Sequence, residues 1–175
     1  MDYTHCYQWK HTPDPQTLQA CMEAMVPVIN DQHAILAGPN GFSEPEIDGV
    51  IAFNGKALSA EDLGDSHGRF NFPGNLPGHI LDGGHGRTYD PNGFNFCTTA
   101  RKPYDGAVVA CLLIARDFFP KEILELCSHG DWRHEWRQGA MNWRGGVGPK
   151  NTSTPSGTAI YQRVTGTKAK CPWRR

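Results

Sequence analysis

The sequence predicts an α/β or α+β protein: a single domain with a mixed β-sheet, one parallel β-α-β unit at about residues 94–128, and helices packed against the sheet. Three patterns carry this. Phe94 to Thr98 alternates polar and β-forming residues. Ala107 to Ala115 is apolar on nearly every side, as in a helix covered over most of its surface. A second strand pattern follows at 122–127. Strands joined by one helix are expected to run parallel with a right-handed crossover.

The elements follow in chain order. Asp14-Pro15 starts a helix, the aspartate capping and the proline fitting the first turn. Leu18, Cys21, Met22, Met25 and Ile29 recur at helical spacing, and Pro27 is expected to kink or end the helix near residue 26. His33 to Ala37 reads as a short strand, residues 38–41 as a turn, and Ile47 to Phe53 as a strand closed by the turn dipeptide Asn54-Gly55. Arg69 to Phe72 is a short alternating strand. Residues 73–93 hold six glycines and three prolines and form a loop long enough to suggest a function. The polar turn at 99–105 carries two cations, a proline and Asp105, a candidate helix cap. A helix is expected from about Trp132 to Arg144, closing a globular domain of residues 1–144. Residues 145–157 read as a flexible linker, and 158–175 as a short helix and basic tail docked on the domain through Ile160, Val164 and Trp173.

At 175 residues and 38% hydrophobic content the chain can bury a sizeable core. Its mean hydropathy is −0.53. The absence of a run of about 18 apolar residues argues against a membrane helix and a membrane partner. The first residues show no basic stretch followed by an apolar one, so no secretory signal is expected. The six cysteines, at 6, 21, 97, 111, 127 and 171, form no Cys-x-x-Cys pair and are expected to be reduced thiols in a cytoplasmic protein. Charge is uneven: residues 1–100 hold 4 cationic and 12 acidic side chains, residues 101–175 hold 13 and 6. Such asymmetry suits either an anionic partner or attraction between the halves inside one fold, and the second is the plainer expectation.

Three constellations could carry chemistry. His79, Asp82 and His85 lie on the glycine-rich loop, and His129 follows a strand. These are metal-ligand types, and a catalytic zinc needs three protein ligands and an open position. The plain alternative is solvated histidines on a surface loop. On the second, Trp132, Trp136 and Trp143 share a helix face beside Arg133, Arg137 and Arg144. That combination suits stacked bases and paired phosphates of single-stranded nucleic acid, unless the tryptophans simply pack inward. The third is Arg101-Lys102 near a helix N-terminus, suited to a phosphate or carboxylate. No Ser/His/Asp triad is assignable: Ser128 adjoins His129, but adjacency in sequence does not establish the geometry.

Two resemblances extend these patterns. Leu81-Asp82-Gly83-Gly84-His85-Gly86 is similar to the strand-end metal motif of zinc-dependent cell-wall amidases, although no glutamate stands between His85 and Glu122. More broadly, Ile51-Ala-Phe-Asn-Gly55, His67-Gly-Arg-Phe-Asn-Phe-Pro73, Phe96-Cys-Thr-Thr-Ala-Arg-Lys-Pro-Tyr-Asp105 and Ser128-His-Gly-Asp-Trp132 resemble a family of small uncharacterised bacteriophage and prophage proteins. The resemblance spans about Ile35 to Trp136 and departs at Gly68 and His129, where the family pattern has acids. It implies a phage or prophage origin and a role inside the infected bacterium. Together with the missing catalytic set and the basic, aromatic C-terminal half, the expectation is a phage-type accessory protein that binds a host or phage protein, or nucleic acid, in the bacterial cytoplasm, with no cofactor expected. A metal-dependent hydrolase using His79, Asp82, His85 and His129 with zinc is the alternative.

Overall fold

Alternation in the first residues builds the central strand. Thr4–Trp9 forms β1, whose odd positions His5, Tyr7 and Trp9 are buried while the even ones face outward. In the computed structural model, which describes residues 3–77, 92–137 and 155–174, β1 is flanked by β5 (Phe94–Thr98) and β6 (Leu124–Ser128), antiparallel to both. A second antiparallel sheet contains β2 (Leu36–Ala37), β3 (Ile51–Gly55) and β4 (Phe70–Phe72), in that order. The fold is therefore α+β and forms one domain. β5 and β6, expected to run parallel across one helix, do point the same way, since each is antiparallel to β1, but they do not pair with each other: β1 inserts between them.

The two sheets meet along an aromatic seam. Tyr7 and Trp9 pack on Phe72 with ring centroids 5.7 and 5.6 Å apart, and the Trp9 indole N–H donates to the Pro73 carbonyl at 2.8 Å. Helix α2 (Asp105–Phe118) is buried along nearly its whole length, as its apolar run requires, with α1 (Pro15–Asp31) and α3 (Gly157–Thr165) against it. Glycines at 106 and 157 permit the close approach of α2 and α3: a Cβ on Gly157 would strike Val109, and one on Gly106 would lie 2.6 Å from the Pro155 carbonyl. Gly157→Val is expected to cost about 1–3 kcal/mol through overpacking, read as a lower melting temperature.

Several elements depart from expectation. Helix α1 passes through Pro27 to Asp31, because Val28 and Ile29 beyond the proline are buried, and their burial offsets the lost hydrogen bond. Asn54-Gly55 ends β3 rather than making a turn; Gly55 is needed because the Asp65 carbonyl lies against it. The strand expected at His33–Ala37 shrinks to Leu36–Ala37, since Ile35 and Leu36 donate back to the Gln32 carbonyl. Ser156 caps α3, so the expected linker gives way to helix at Gly157. Residues 145–154 lie outside the described residues.

Cys6 and Cys127, expected as reduced thiols, are joined as a disulfide across β1 and β6, where they oppose one another with Cα atoms 4.9 Å apart. Cys21, Cys97 and Cys111 are buried free cysteines.

The charge asymmetry is met partly within the fold. Arg163 of α3 grips Asp31 of α1 with two bonds, Nε to Oδ1 at 2.7 Å and Nη2 to Oδ2 at 2.5 Å. The guanidinium holds the Asp31 carboxyl below the usual carboxylate range. A depressed folded pKa means that the pair stabilises fully above the ordinary carboxylate range and loses that contribution as pH falls through the lowered value. Arg163→Gln is therefore expected to cost at most about 1 kcal/mol at pH 7, because the pair is part-exposed. The deficit should vanish in acid, checked by chemical denaturation across pH.

Candidate active site

His5, Asp105 and Ser128 come from three elements and form one hydrogen-bonded chain. Antiparallel register places His5 directly opposite Ser128, so both side chains share the inner face. The first turn of α2 brings Asp105 to the other side of the ring. His5 Nε2 lies 2.8 Å from Asp105 Oδ1, and His5 Nδ1 lies 2.9 Å from Ser128 Oγ. His5 and Asp105 are 1% and 2% exposed, while Ser128 is half-buried at the end of β6. Asp105 is not the side-chain cap expected for α2: its Oδ1 also accepts the Thr99 hydroxyl, so it faces inward.

The pattern of donors fixes the protons. Ser128 Oγ accepts the Gly130 N–H at 2.9 Å and the Trp136 indole N–H at 3.3 Å. A hydroxyl has two acceptor positions and one proton. With both positions filled, that proton goes to His5 Nδ1, which leaves the ring proton on Nε2 to be donated to Asp105. The chain thus reads carboxylate, imidazole, hydroxyl, with the two ring nitrogens in exchanged roles relative to the serine-protease arrangement. The two N–H groups aimed at Oγ also stabilise negative charge as its proton leaves.

Trp136 and Tyr3 wall the imidazole, their rings 5.7 and 5.1 Å from it and nearly perpendicular. The wide turn Trp132–Trp136, in which the Trp136 N–H reaches back to the Asp131 carbonyl, sets the indole in place. Tyr3 is held by the turn after β5: the Thr99 and Ala100 N–H groups donate to its carbonyl, and Ala100 and Arg101 take left-handed φ values of 49° and 58°. This bend, strained for non-glycine residues, brings the Arg101 guanidinium 4.2 Å over the Tyr3 ring and 2.8 Å from Glu135 Oε1. The buried thiols do not compete as nucleophiles. Burial pushes Cys97 and Cys111 well above the usual thiol range and Cys21 up to about 12, so all three stay protonated.

The residues singled out from sequence fare differently. Trp136, expected to stack on bases, is fully buried and offers no face to them. Arg133 and Arg137 are exposed. Arg101 pairs with Glu135, and Lys102 donates to the Gly64 carbonyl at 2.7 Å. His79, Asp82 and His85 lie outside the described residues; His129 is exposed. No group of three metal-ligating side chains converges among the described residues. No helix of the described residues is long and apolar enough to cross a membrane. His5, Thr99 and Tyr3 were not legible as site residues, although a histidine among Tyr3, Tyr7 and Trp9 on one face of an alternating strand was a usable signal.

Fold and site together define an α+β protein with an internal Ser-His-Asp relay. The chain matches no protein-family model, no curated protein and no solved structure.

Proposed function

We propose that the protein is a hydrolase acting by acyl transfer on carboxylic esters, with Ser128 as nucleophile, His5 as base and Asp105 orienting the imidazole. The observation that carries this is the Asp105–His5–Ser128 chain, in which the serine's proton has His5 Nδ1 as its acceptor. As Oγ bonds to the ester carbonyl carbon, its proton passes to Nδ1 and the carbonyl π pair moves to oxygen. Collapse of that intermediate breaks the bond to the leaving alkoxide, which takes the proton from Nδ1. Water repeats the sequence to release the acid and free Oγ.

A fluorophosphonate probe tests this, because serine attack at phosphorus expels fluoride and leaves a stable adduct. Wild type is expected to label once per chain, at Ser128, and Ser128→Ala is expected to fold and lose the label. Folded wild type that neither labels nor hydrolyses p-nitrophenyl acetate sinks the proposal.

A second reading is the phage-type accessory role, binding a host or viral macromolecule in the bacterial cytoplasm. It draws on Phe94 and Phe96, 37% and 63% exposed on the outward face of β5, a larger aromatic exposure than a solvent-facing sheet needs. If that face holds the partner, Phe96→Ser should abolish retention of a bacterial protein or nucleic acid that wild type retains, and leave probe labelling unchanged.

A further inference from the structure

We propose that the Tyr3 hydroxyl donates the hydrogen bond that stabilises the oxyanion formed when Ser128 attacks an ester; this rests on the acyl-transfer reading above. Tyr3 is 1% exposed, yet its hydroxyl has no hydrogen-bond partner among the described residues. Buried polar groups are nearly always paired, so an orphan needs a reason. This one points into the site. It packs against Gly130 so closely that any Cβ there would strike it, and the N–H of the same Gly130 donates to Ser128 Oγ at 2.9 Å. The Ser128 hydroxyl stands beside the phenol, near enough to lower its proton affinity, but the two do not make a hydrogen bond of normal geometry. A donor left unpaired within one residue's breadth of the nucleophile is placed for charge that exists only during reaction, which is what oxyanion stabilisation requires.

The surroundings keep it a donor. Burial, with Asp105 and Glu135 nearby, holds the phenol well above its usual range, so it carries its proton throughout. Arg101 over the ring face draws electron density from the phenol and sharpens the O–H dipole, and Glu135 holds Arg101 there. In the reaction the Tyr3 proton stays on Tyr3; only Ser128, His5 and the leaving group exchange one.

Tyr3→Phe separates this role from a packing role. Phenylalanine keeps the ring, its edge contact with His5 and the Arg101 contact, and removes only the orphan oxygen. With p-nitrophenyl acetate, kcat is expected to fall on the order of 10²-fold, with KM unchanged and the melting temperature equal or higher. Fluorophosphonate labelling is expected to slow in parallel while still reaching one per chain. Wild type that labels, beside a Tyr3→Phe enzyme with unchanged kcat, overturns the Tyr3 role alone. A change confined to KM, or a drop in kcat matched by lost thermal stability, likewise overturns it in favour of packing. Wild type that never labels overturns both the role and the reading beneath it.

Discussion

Leu112→Asp is expected to leave no folded protein. Leu112 is 1% exposed in the middle of α2, whose neighbours Cys111 and Leu113 are buried as well. A carboxylate there would sit within the hydrophobic core, and an unpaired buried charge costs several kcal/mol even after its proton affinity adjusts. A domain of this size holds about 5–15 kcal/mol in all. The variant should appear in the insoluble fraction, or show no cooperative thermal transition if recovered. Leu112→Met is the control; it conserves volume and is expected to cost under about 1.5 kcal/mol. A soluble, cooperatively melting Leu112→Asp protein would mean that α2 is not the covered core of the fold.

Asp105→Ala should be almost as damaging, for a different reason. Removing the carboxylate strands two buried donors, the His5 Nε2–H and the Thr99 hydroxyl, both bonded to the same Oδ1. Each buried donor left without an acceptor costs about 1–3 kcal/mol. Asp105→Asn provides the contrast. An amide oxygen can occupy the Oδ1 position and accept both bonds, so stability should fall much less, while the charge that supports a proton on His5 is gone. Denaturant unfolding should therefore rank wild type, then Asn, then Ala, and fluorophosphonate labelling should be lost in both variants. If the alanine variant unfolds like wild type, the carboxylate is not integrated as the geometry indicates. If the asparagine variant labels at the wild-type rate, the chain does not activate Ser128.

Local patterns were enough for elements whose signals are short-range. The Asp14 cap with Pro15 behind it, the alternation of Phe94 to Thr98 and the unbroken apolar run of α2 each describe how a few consecutive residues satisfy their own backbone or bury their own face. Where distant burial competed with a local signal, distance won. Pro27 did not stop α1, because Val28 and Ile29 had a core to enter; Asn54-Gly55 did not turn, because Asp65 pressed against the glycine. The same holds for the cysteines. Their spacing gave no sign of a bond between Cys6 and Cys127, 121 residues apart, until antiparallel register set them opposite each other.

The candidate site lies wholly on the non-local side. Ser128 stood out beside His129, but strand alternation makes its partner the residue across the ladder, not the next one along the chain. That residue is His5, and it is there because β1 enters between β5 and β6. Asp105 was legible as an acid at a helix start, and its chemistry as a cap, because helix termini attract acids for local reasons. Its inward turn toward His5 and Thr99 depends on α2 being buried. The amino-acid order therefore settles those elements whose periodicity and capping are local, such as α2 and β5, but not the central strand β1, which was not expected from sequence, nor the ends of α1, β2 and β3. The pairing of Asp105, His5 and Ser128 arises only when residues 100 and more positions apart are packed together, because no short-range interaction distinguishes that partner set from any other.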